Sequence, residues 1–454
     1  MPTSSLPKTL SPSVLPFSAA SGVRPAGADD GRNGRAGAGA LKVVVSADVT
    51  TNWGGNYIYR ANVVHRPSSL DELSEIVVRA ERVRVIGTQH SFSDIADAPE
   101  LIVLDGLPGE ITVDGATVTV PAALTYSQLA DRLREDGLAL RNLASLPHIS
   151  VGGAIATATH GSGNRNGNLA TQVAALELMT SRGELTTFSR GGADFDGAVV
   201  GLGSLGAVTR VTLDVEPAYD MQQRVFEHLS WDMLFEQFDA ITATADSVSV
   251  FTLWSDDVDQ IWLKSRVEID GELLGAAAAT AERHPIPGAD PVNATAQLGQ
   301  PGLWSDRLPH FRSGFMPSAG DEIQSEYLVD RRHGPAAIEA LLRLGDRIRP
   351  LLYISEIRTI AADDLWLSPE YGRDSVAIHF TWKREQQPVE RALAEVERAL
   401  EPFAPRPHWG KLFLADAAQI APLYERLPDF VALLDGLDPR GAFRNAWLER
   451  HLLR

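Results

Sequence analysis

The pattern of apolar and polar positions predicts short strands and helices in mixed order along most of the chain. Residues 68–83 follow helical spacing, with Ser69 and Glu72 placed as a capping box at the start. The apolar face of this predicted helix consists of Leu70, Leu73, Ile76, Val77 and Ala80. The alternating run RVRVIG overlaps the end of the helix and predicts a strand that leads into the turn GTQHS, residues 87–91.

Further strands and a second helix follow before residue 218. The run LIVLDG predicts a strand, and ITVDGATVTV predicts a hairpin that turns at Asp114-Gly115. Thr125 and Gln128 cap the predicted helix TYSQLADRLREDG. The runs VAALELMT, GELTTFS and GAVTRVTLDVEP alternate as strands and end at Pro217. Because strands and helices do not alternate regularly, we expect the α+β class and not a βαβ array.

The sequence pattern changes at about residue 220, and this change predicts a second domain. Tryptophan-bearing strands (SVSVFTLWSD and QIWLKSRVEI) precede a loop-rich stretch, residues 284–320, and helices around 335–348 and 387–401 flank two more strands. Residues 1–43 are rich in Pro, Ser, Gly and Ala and predict a disordered extension. We therefore expect domains at 44–218 and 219–415, with a C-terminal segment, 416–454, that returns toward the first.

Composition narrows the class of partner. The net charge of −18 over 454 residues argues against nucleic acid or an anionic membrane. No apolar run approaches the roughly 20 residues that span a bilayer, so we expect a cytoplasmic monomer. The chain contains no cysteine, which excludes disulfides, thiolate metal sites and cysteine nucleophiles. Any covalent cofactor link must use another residue type, and we expect no metal.

Two glycine-rich stretches invite a nucleotide-binding interpretation. GLGSLG, residues 201–206, matches the dinucleotide fingerprint, but the strand-like run AVTRVTLDVEP follows where that mechanism needs a helix. The second stretch, residues 143–167, combines glycines with small hydroxyl residues and His160. Glycines let backbone amides approach a ligand closely, and hydroxyl groups bind phosphate oxygens. An ordinary flexible loop is the alternative, and the scarcity of charges and prolines, with only Arg165 and Pro147 in the stretch, favours a binding site.

Two predicted strands carry a polar face. LLYISEIRTIA places Glu356 and Arg358 on one side, and VAIHFTWK places His379 and Thr381 on one side. This pattern is typical of an antiparallel sheet with one solvent-exposed face. The same four groups also suit a small polyhydroxylated substrate.

The stretch RPHWGKLF, residues 406–413, favours the substrate interpretation. It places His408 and Lys411 around a tryptophan and a glycine, in a chain whose other lysines are Lys8, Lys42, Lys264 and Lys383. An ammonium group held near a reacting hydroxyl stabilises developing alkoxide charge, and cationic groups near a flavin favour its anionic reduced form.

Taken together, these motifs resemble the vanillyl-alcohol oxidase superfamily of flavoproteins. The GTQHS turn, SLPHISVGGAIATATHGSG and GLGSLGAVT resemble its FAD-binding domain. The E-x-R strand, the H-x-T strand and HWGK resemble its sugar-alcohol and aldonolactone oxidase branch, and match the alditol (xylitol) oxidases. The resemblance runs from about residue 45 to the C-terminus. It implies a two-domain protein with an α+β FAD-binding domain and a cap domain built on a large antiparallel sheet.

The resemblance implies FAD linked covalently to His90. In that family the histidine that ends this strand is joined through a ring nitrogen to the flavin 8α-methyl carbon. Some relatives add a second link through cysteine, so this chain has a single link. Gln89 departs from the glycine that many relatives carry there. The other residues implied at the FAD are Gly87, Thr88, Gln89, Ser91, Phe92, Ser145, Ser150, Gly153, Thr157, Ala158, Thr159, His160, Val208 and His408.

The resemblance also implies a substrate and a reaction. Ser145 would face the substrate as well, and Ala144 would lie near the route of oxygen. The residues implied to bind a polyol are Glu356, Arg358, Thr381 and Lys411, with His379 as a base. The reaction would convert the terminal CH2–OH of an alditol to an aldehyde, with O2 reduced to H2O2. The alternatives are an aldonolactone oxidase or dehydrogenase of the same fold, and a sugar-binding flavoprotein without turnover.

Overall fold

The computed structural model describes residues 49–269, 271–314 and 321–453. They form three larger sheets, a two-stranded sheet of Leu138–Ala139 and Glu216–Pro217, and the helices packed on them. The predicted disordered extension, residues 1–43, lies outside this range. The first sheet is parallel, in the order Val63–His65, Glu100–Ile102 and Val83–Val85. The helix Leu70–Arg79 connects two of its strands. The predicted strands at RVRVIG and LIVLDG are therefore confirmed.

The helix Leu70–Arg79 differs from its prediction at the N-terminus. The Ser69 hydroxyl accepts from the Glu72 backbone N–H at 3.1 Å, as expected for a cap. The Glu72 carboxylate, however, accepts from the backbone N–H of Ser68, so the capping box is not reciprocal. Leu70 is 40% exposed, and its predicted place on the apolar face is wrong. The remaining predicted members, Leu73, Ile76, Val77 and Ala80, are buried.

The second sheet has five antiparallel strands. Their order is Thr112–Asp114, Thr117–Pro121, Ala207–Asp214, Val173–Met179 and Leu185–Ser189. The two-residue loop of the hairpin is Gly115-Ala116, and Gly115 has a φ of 58°, a left-handed conformation that glycine adopts at little cost. The helix Tyr126–Glu135 has the full capping box predicted from Thr125 and Gln128. The short helix Val151–Ala156, inside the glycine-rich stretch, was not predicted.

The third sheet is large and antiparallel. Its strands lie in the order Ala277–Ala278, Asp220–Ser230, Asp257–Ser265, Ser247–Thr252, Leu352–Ile360, Ser375–Lys383, Glu322–Asp330 and Arg406–Pro407, and Gly302–Leu303 pairs with Asp220–Ser230. The helix Gly334–Leu342 packs on this sheet and on the helix Gln386–Leu400. Trp231–Glu236, Phe238–Thr242 and Gly345–Ile348 are shorter helices. The polar-faced strands thus occupy the middle of the sheet.

The C-terminal segment packs against the beginning of the chain. It contains the helices Ala417–Ile420, Leu427–Leu437 and Ala446–Leu448. The Asn445 amide donates to the carbonyl of Ile95 at 3.0 Å, and the Arg440 guanidinium donates to the carbonyl of Val77 at 3.0 Å. The domain boundaries themselves stay predictions. Within the described residues, no helix is long and apolar enough to cross a membrane.

Candidate active site

A cavity of about 400 Å³ lies between the GTQHS turn, the glycine-rich stretch and the polar face of the large sheet. It brings together residues as far apart in the chain as Trp53 and Lys411. The predicted site residues in its wall are Gly87, Thr88, Gln89, His90, Ser91, Phe92, Ala144, Ser145, Ser150, Gly153, Thr157, Thr159, His160, Glu356, Arg358, His379, Thr381, His408 and Lys411. Ala158 is buried behind the wall, and Val208 lies on a strand packed against the core. From the GLGSLG loop, Leu202 and Gly203 line the cavity, and a strand follows the loop as predicted.

His90 is half-buried in the cavity wall, with its two ring nitrogens shielded from solvent. The Trp53 ring stacks on the imidazole, with centroids 5.2 Å apart, and the Trp53 backbone N–H donates to the carbonyl of Gln89 at 2.8 Å. Both ring nitrogens of His90 are buried without a hydrogen-bond partner among the described residues. Burial lowers the pKa of His90 to about 4. A neutral imidazole with orphaned nitrogens fits a group that is bonded through one of them.

Two glycines leave room for the Ser150 side chain where the GTQHS turn meets the glycine-rich stretch. A Cβ at Gly87 would lie 2.4 Å from the Ser150 hydroxyl oxygen, and a Cβ at Gly153 would lie 2.8 Å from it. The Ser150 backbone N–H donates to the Thr88 hydroxyl at 3.2 Å. A Cβ at either glycine would force the Ser150 hydroxyl out of its present position. The two glycines therefore form a cradle around the Ser150 side chain.

The polar face of the large sheet is a row of charged groups in register. His379 pairs with Glu326 on one neighbouring strand and with Glu356 on the other. The Arg358 guanidinium donates to Oε1 of Glu326 at 2.6 Å, and its Nε lies 3.7 Å from Oε1 of Glu356. Lys411 Nζ lies 2.5 Å from Oε2 of Glu326. All five side chains are at least largely buried, so the wet surface expected from the pattern is an enclosed site.

Burial and neighbouring charges set the protonation of these groups. Burial opposes ionisation of Glu326, but Lys411 and Arg358 lower the pKa of its carboxyl well below the usual range. Glu356 is ionised for a similar reason, because Arg358 and His310 outweigh its burial and lower its pKa. Burial also lowers the pKa of Lys411 and, with Lys411 beside it, holds the pKa of His379 well below its usual range. The site thus contains two carboxylates and a neutral imidazole.

A tight turn places Lys411 in the cavity. The Trp409 side chain is buried and donates to the carbonyl of Leu367 at 2.7 Å, which anchors the turn in the core. The backbone N–H of Lys411 donates to the carbonyl of His408 at 3.0 Å. The Phe92 backbone N–H donates to the carbonyl of Gly410 at 2.8 Å. HWGK is therefore fastened to the GTQHS turn, although the two are more than 300 residues apart in the chain (90 against 408).

Sequence analysis missed several members of the site. Glu326 and Gln324 lie on the strand Glu322–Asp330, where their two-residue spacing is the same signal that identified Glu356 and Arg358. That signal was available and was not used. Trp53 and His310 come from loops, and no periodicity marks them. They enter the site through long-range packing alone.

His160, Glu326 and His408 offer atoms within 4.8 Å of one another, which is a spacing that metal ions accept. Arg358 and Lys411, however, already bind both oxygens of the Glu326 carboxylate. An added cation would have to displace one of these positive groups. The predicted absence of a metal stays a prediction.

Comparison with known proteins agrees with this site. A sequence profile described as FAD binding domain matches residues 61–189, and one described as D-arabinono-1,4-lactone oxidase matches residues 319–451. Alditol oxidase of a Streptomyces species is 46% identical over 406 residues, covering 88% of this chain and 97% of the relative. L-Gulono-1,4-lactone dehydrogenase of Mycobacterium tuberculosis is 30% identical over 435 residues, covering 89% and 99%.

Solved structures support the fold. A cholesterol oxidase variant from Brevibacterium sterolicum superposes with a TM-score of 0.71 at 15% identity, covering 88% of this chain and 96% of that one. The predicted fold class and the predicted family are both confirmed. The chain belongs to the vanillyl-alcohol oxidase family of FAD-binding flavoproteins, in the branch that includes alditol oxidase and the aldonolactone oxidases.

Proposed function

We propose that this protein oxidises the terminal primary hydroxyl of alditols such as xylitol and sorbitol to the aldose, with O2 reduced to H2O2. The observation that carries the proposal is the shared cavity of His90 and the Glu326–Arg358–Lys411 cluster. The 46% identity to a relative named alditol oxidase, over nearly its whole length, supports this substrate class. A monomeric state and a cytoplasmic location stay predictions.

FAD fits the cavity through a single link at His90. The two orphaned ring nitrogens and the glycine cradle around Ser150 support that placement. The described residues of this wall that would hold the cofactor include Thr88, Ser150 and Thr157. A bound flavin would supply the acceptor for the hydride of the carbinol carbon and the route of both electrons to O2. The residues of the protein bind the polyol, orient it and accept the proton of its reacting hydroxyl.

Arg358 and Lys411 supply the positive charge at the reacting hydroxyl. Both groups are held by Glu326, so little reorganisation is needed when alkoxide charge develops on the substrate. His379 supplies the proton acceptor. Its Nε2–H donates to the Gln324 side-chain oxygen at 3.2 Å, which leaves Nδ1 as a buried acceptor with no partner among the described residues. The hydroxyl proton therefore passes to Nδ1 of a neutral imidazole.

Glu356 and Thr381 explain a preference for polyols over simple alcohols. The Glu356 carboxylate is ionised and lies in the cavity wall beside Arg358, where it accepts from the hydroxyl next to the reacting carbon. Thr381 shares the face of His379, two residues along the same strand. A substrate without that neighbouring hydroxyl would leave the Glu356 carboxylate with the His310 donor but without the substrate donor, which is a basis for rejection.

The second candidate function is oxidation of an aldonolactone. It is favoured by the D-arabinono-1,4-lactone oxidase profile over residues 319–451 and by the 30% identical lactone dehydrogenase. Oxygen uptake with xylitol and with L-gulono-1,4-lactone, measured side by side, decides between them. We expect turnover with xylitol and little with the lactone. A flavin-loaded protein that consumes oxygen with neither substrate would favour the non-catalytic alternative.

A further inference from the structure

Lys264 is a buried lysine that the proposed reaction does not use. It lies on the strand Asp257–Ser265 and is 1% exposed. Its Nζ donates to the carbonyls of Leu308 and Pro309 at 2.5 and 2.9 Å, and it lies 3.1 Å from Nδ1 of His310. An ammonium group has three hydrogens, and these are its three acceptors. The arrangement therefore leaves no donor of the ammonium form unused.

This geometry fixes the tautomer of His310. Burial and the adjacent Lys264 lower the pKa of His310 to about 4, so its ring is neutral and carries one proton. Because Nδ1 accepts from Lys264, that proton is on Nε2. Nε2 lies 2.9 Å from Oε1 of Glu356. His310 therefore donates to the carboxylate that the proposed function assigns to the polyol.

The surrounding residues hold the His310 ring in place. The rings of Phe251 and Trp262 meet it edge to face, at centroid distances of 5.5 and 5.4 Å. The His310 backbone N–H donates to the carbonyl of Ser145 at 3.1 Å, and the Thr295 backbone N–H donates to the carbonyl of His310 at 2.9 Å. The ring thus has no freedom to turn its other nitrogen toward Glu356.

We propose that Lys264 and His310 are positioning residues: Lys264 fixes the His310 tautomer, and His310 orients the Glu356 carboxylate toward the substrate hydroxyl next to the reacting carbon. The inference rests on the proposed function, because it assigns Glu356 to a polyol. A neutral Lys264 would have one hydrogen fewer and would no longer force His310 to donate. The proton of His310 could then lie on Nδ1, and Glu356 would face the lone pair of Nε2.

Assays at pH 6 keep Lys264 in its ammonium form. Burial lowers the pKa of Lys264 to about 7, with Glu356 raising it and Arg307 and Arg358 lowering it further. His310 is the remaining titratable group in contact with it. The test variant is Lys264→Met, which keeps the length and removes the donors. Lys383→Met is the matched control, since Lys383 bonds only the Pro350 carbonyl among the described residues, at an exposed strand end.

Two five-carbon substrates distinguish a loss of Glu356 orientation from a general loss of activity. Xylitol carries the neighbouring hydroxyl, and 1,5-pentanediol has the same length without it. Lys264→Met should lower kcat/KM for xylitol by roughly 10-fold to 100-fold, through KM more than kcat, and change that for 1,5-pentanediol by less than about 3-fold. In a Glu356→Gln background the same change should have little further effect, because the carboxylate it orients is gone.

A second pair of variants covers the case in which Lys264→Met does not fold with its flavin. His310→Gln keeps both an acceptor for Lys264 and a donor for Glu356, whereas His310→Leu keeps neither. Xylitol selectivity should survive in the first and be lost in the second. Equal losses with both substrates, or full additivity with Glu356→Gln, would overturn the inference. A wild-type protein without xylitol turnover would overturn the proposed function itself, and the inference with it.

Discussion

Lys411 Nζ lies 2.5 Å from Oε2 of Glu326, a carboxylate that is buried on the polar face of the large sheet. The other oxygen of Glu326 accepts from Arg358. One buried anion therefore holds both of the cations that the proposed function places at the reacting hydroxyl. The Glu326 charge offsets the repulsion between Arg358 and Lys411, so these two cations can lie close together.

Replacing Glu326 by glutamine should shift the pH range in which the enzyme works. Burial lowers the pKa of Lys411, and Glu326 opposes that shift. Without the carboxylate the pKa of Lys411 falls further, so turnover that needs the ammonium form should be lost at lower pH than in the wild type. Stopped-flow reduction of the flavin by xylitol across a pH series measures this. Glu397→Gln, which removes a charge bonded to Tyr327 elsewhere, is the control; coincident profiles for Glu326→Gln and wild type would contradict the prediction.

We expect His90→Ala to release the flavin from covalent attachment. The wild-type protein should give a yellow pellet after precipitation with trichloroacetic acid, because the proposed link joins the cofactor to an imidazole whose nitrogens have no hydrogen-bond partner among the described residues. The His90→Ala pellet should be colourless, with the flavin in the supernatant. His148→Ala provides the control, since its ring bonds the Ser313 carbonyl at 2.7 Å and should leave the pellet yellow. A colourless wild-type pellet excludes the covalent link.

Gln89→Gly should stabilise the protein. Gln89 has a φ of 63°, a left-handed conformation that costs an L-residue about 1–2 kcal/mol and costs glycine almost nothing. The greater freedom of glycine in the unfolded chain removes part of that gain, so we expect a net increase of about 0.5–1 kcal/mol in the free energy of unfolding. Urea denaturation measures it. Gln89→Ala keeps the Cβ and should show no such gain; equal effects of the two substitutions would refute the strain.

Local patterns predicted the elements well because their causes are local. The Thr125–Gln128 capping box and the Asp114-Gly115 hairpin depend on residues within a few positions of one another. The prediction for Leu70 was wrong because helical spacing shows which side of the helix a residue lies on. It does not show whether neighbouring structure covers that side. Helix Val151–Ala156 was missed because two glycines interrupt its pattern, and packing on the second sheet compensates for their low propensity.

The sequence predicted the site residues that belong to short contiguous motifs. His90, Glu356 and Lys411 stand in recognisable stretches, and all line one cavity. His310 stands in a loop without periodicity, and its role arises from contacts with residues 46 positions away in both directions, Lys264 and Glu356. Such contacts are set by strand order in the large sheet, which the sequence does not encode locally.

A pair of buried acids joins the loop at residue 168 to the loop at 363–370. Asp363 Oδ2 and Glu370 Oε2 both accept from the Asn168 amide, at 2.8 and 3.1 Å, and both lie within hydrogen-bond distance of the Ser368 hydroxyl, which has one hydrogen to donate. With so few shared donors, the pair retains a proton. Burial, and then the Glu370 charge, raise the pKa of Asp363 to about 7.

Asp363→Asn should therefore change how stability depends on pH. An acid whose pKa is about 3.8 when unfolded and about 7 when folded binds more protons in the native state over that interval. The free energy of unfolding then falls as pH rises from about 4 to 7, by up to about 1.4 kcal/mol per pH unit. The asparagine variant should flatten this slope in denaturation curves recorded at several pH values. Asp364→Asn, at the exposed neighbour, should keep it; a wild-type slope of opposite sign would rule out the shared proton.

The last prediction concerns Lys411 itself. If Lys411 holds the substrate hydroxyl, Lys411→Met removes a charged hydrogen bond that strengthens as the alkoxide forms, and reduction of the flavin by xylitol should slow by about 10²–10³-fold, or roughly 3–4 kcal/mol of barrier. Flavin attachment should persist, because the residue acts on the substrate and not on His90. Glu326 would keep Arg358 as its partner, so the fold should survive the loss of one cation.

Rapid mixing of the flavin-loaded variant with xylitol measures that step directly, and Lys383→Met supplies the same chemical change at an exposed strand end. The control should reduce its flavin at the wild-type rate. If Lys411→Met keeps its flavin and is also reduced at the wild-type rate, the ammonium group has no part in stabilising the alkoxide. Arg358 would then carry that charge alone, and the 2.5 Å contact between Lys411 and Glu326 would serve only to balance a buried carboxylate.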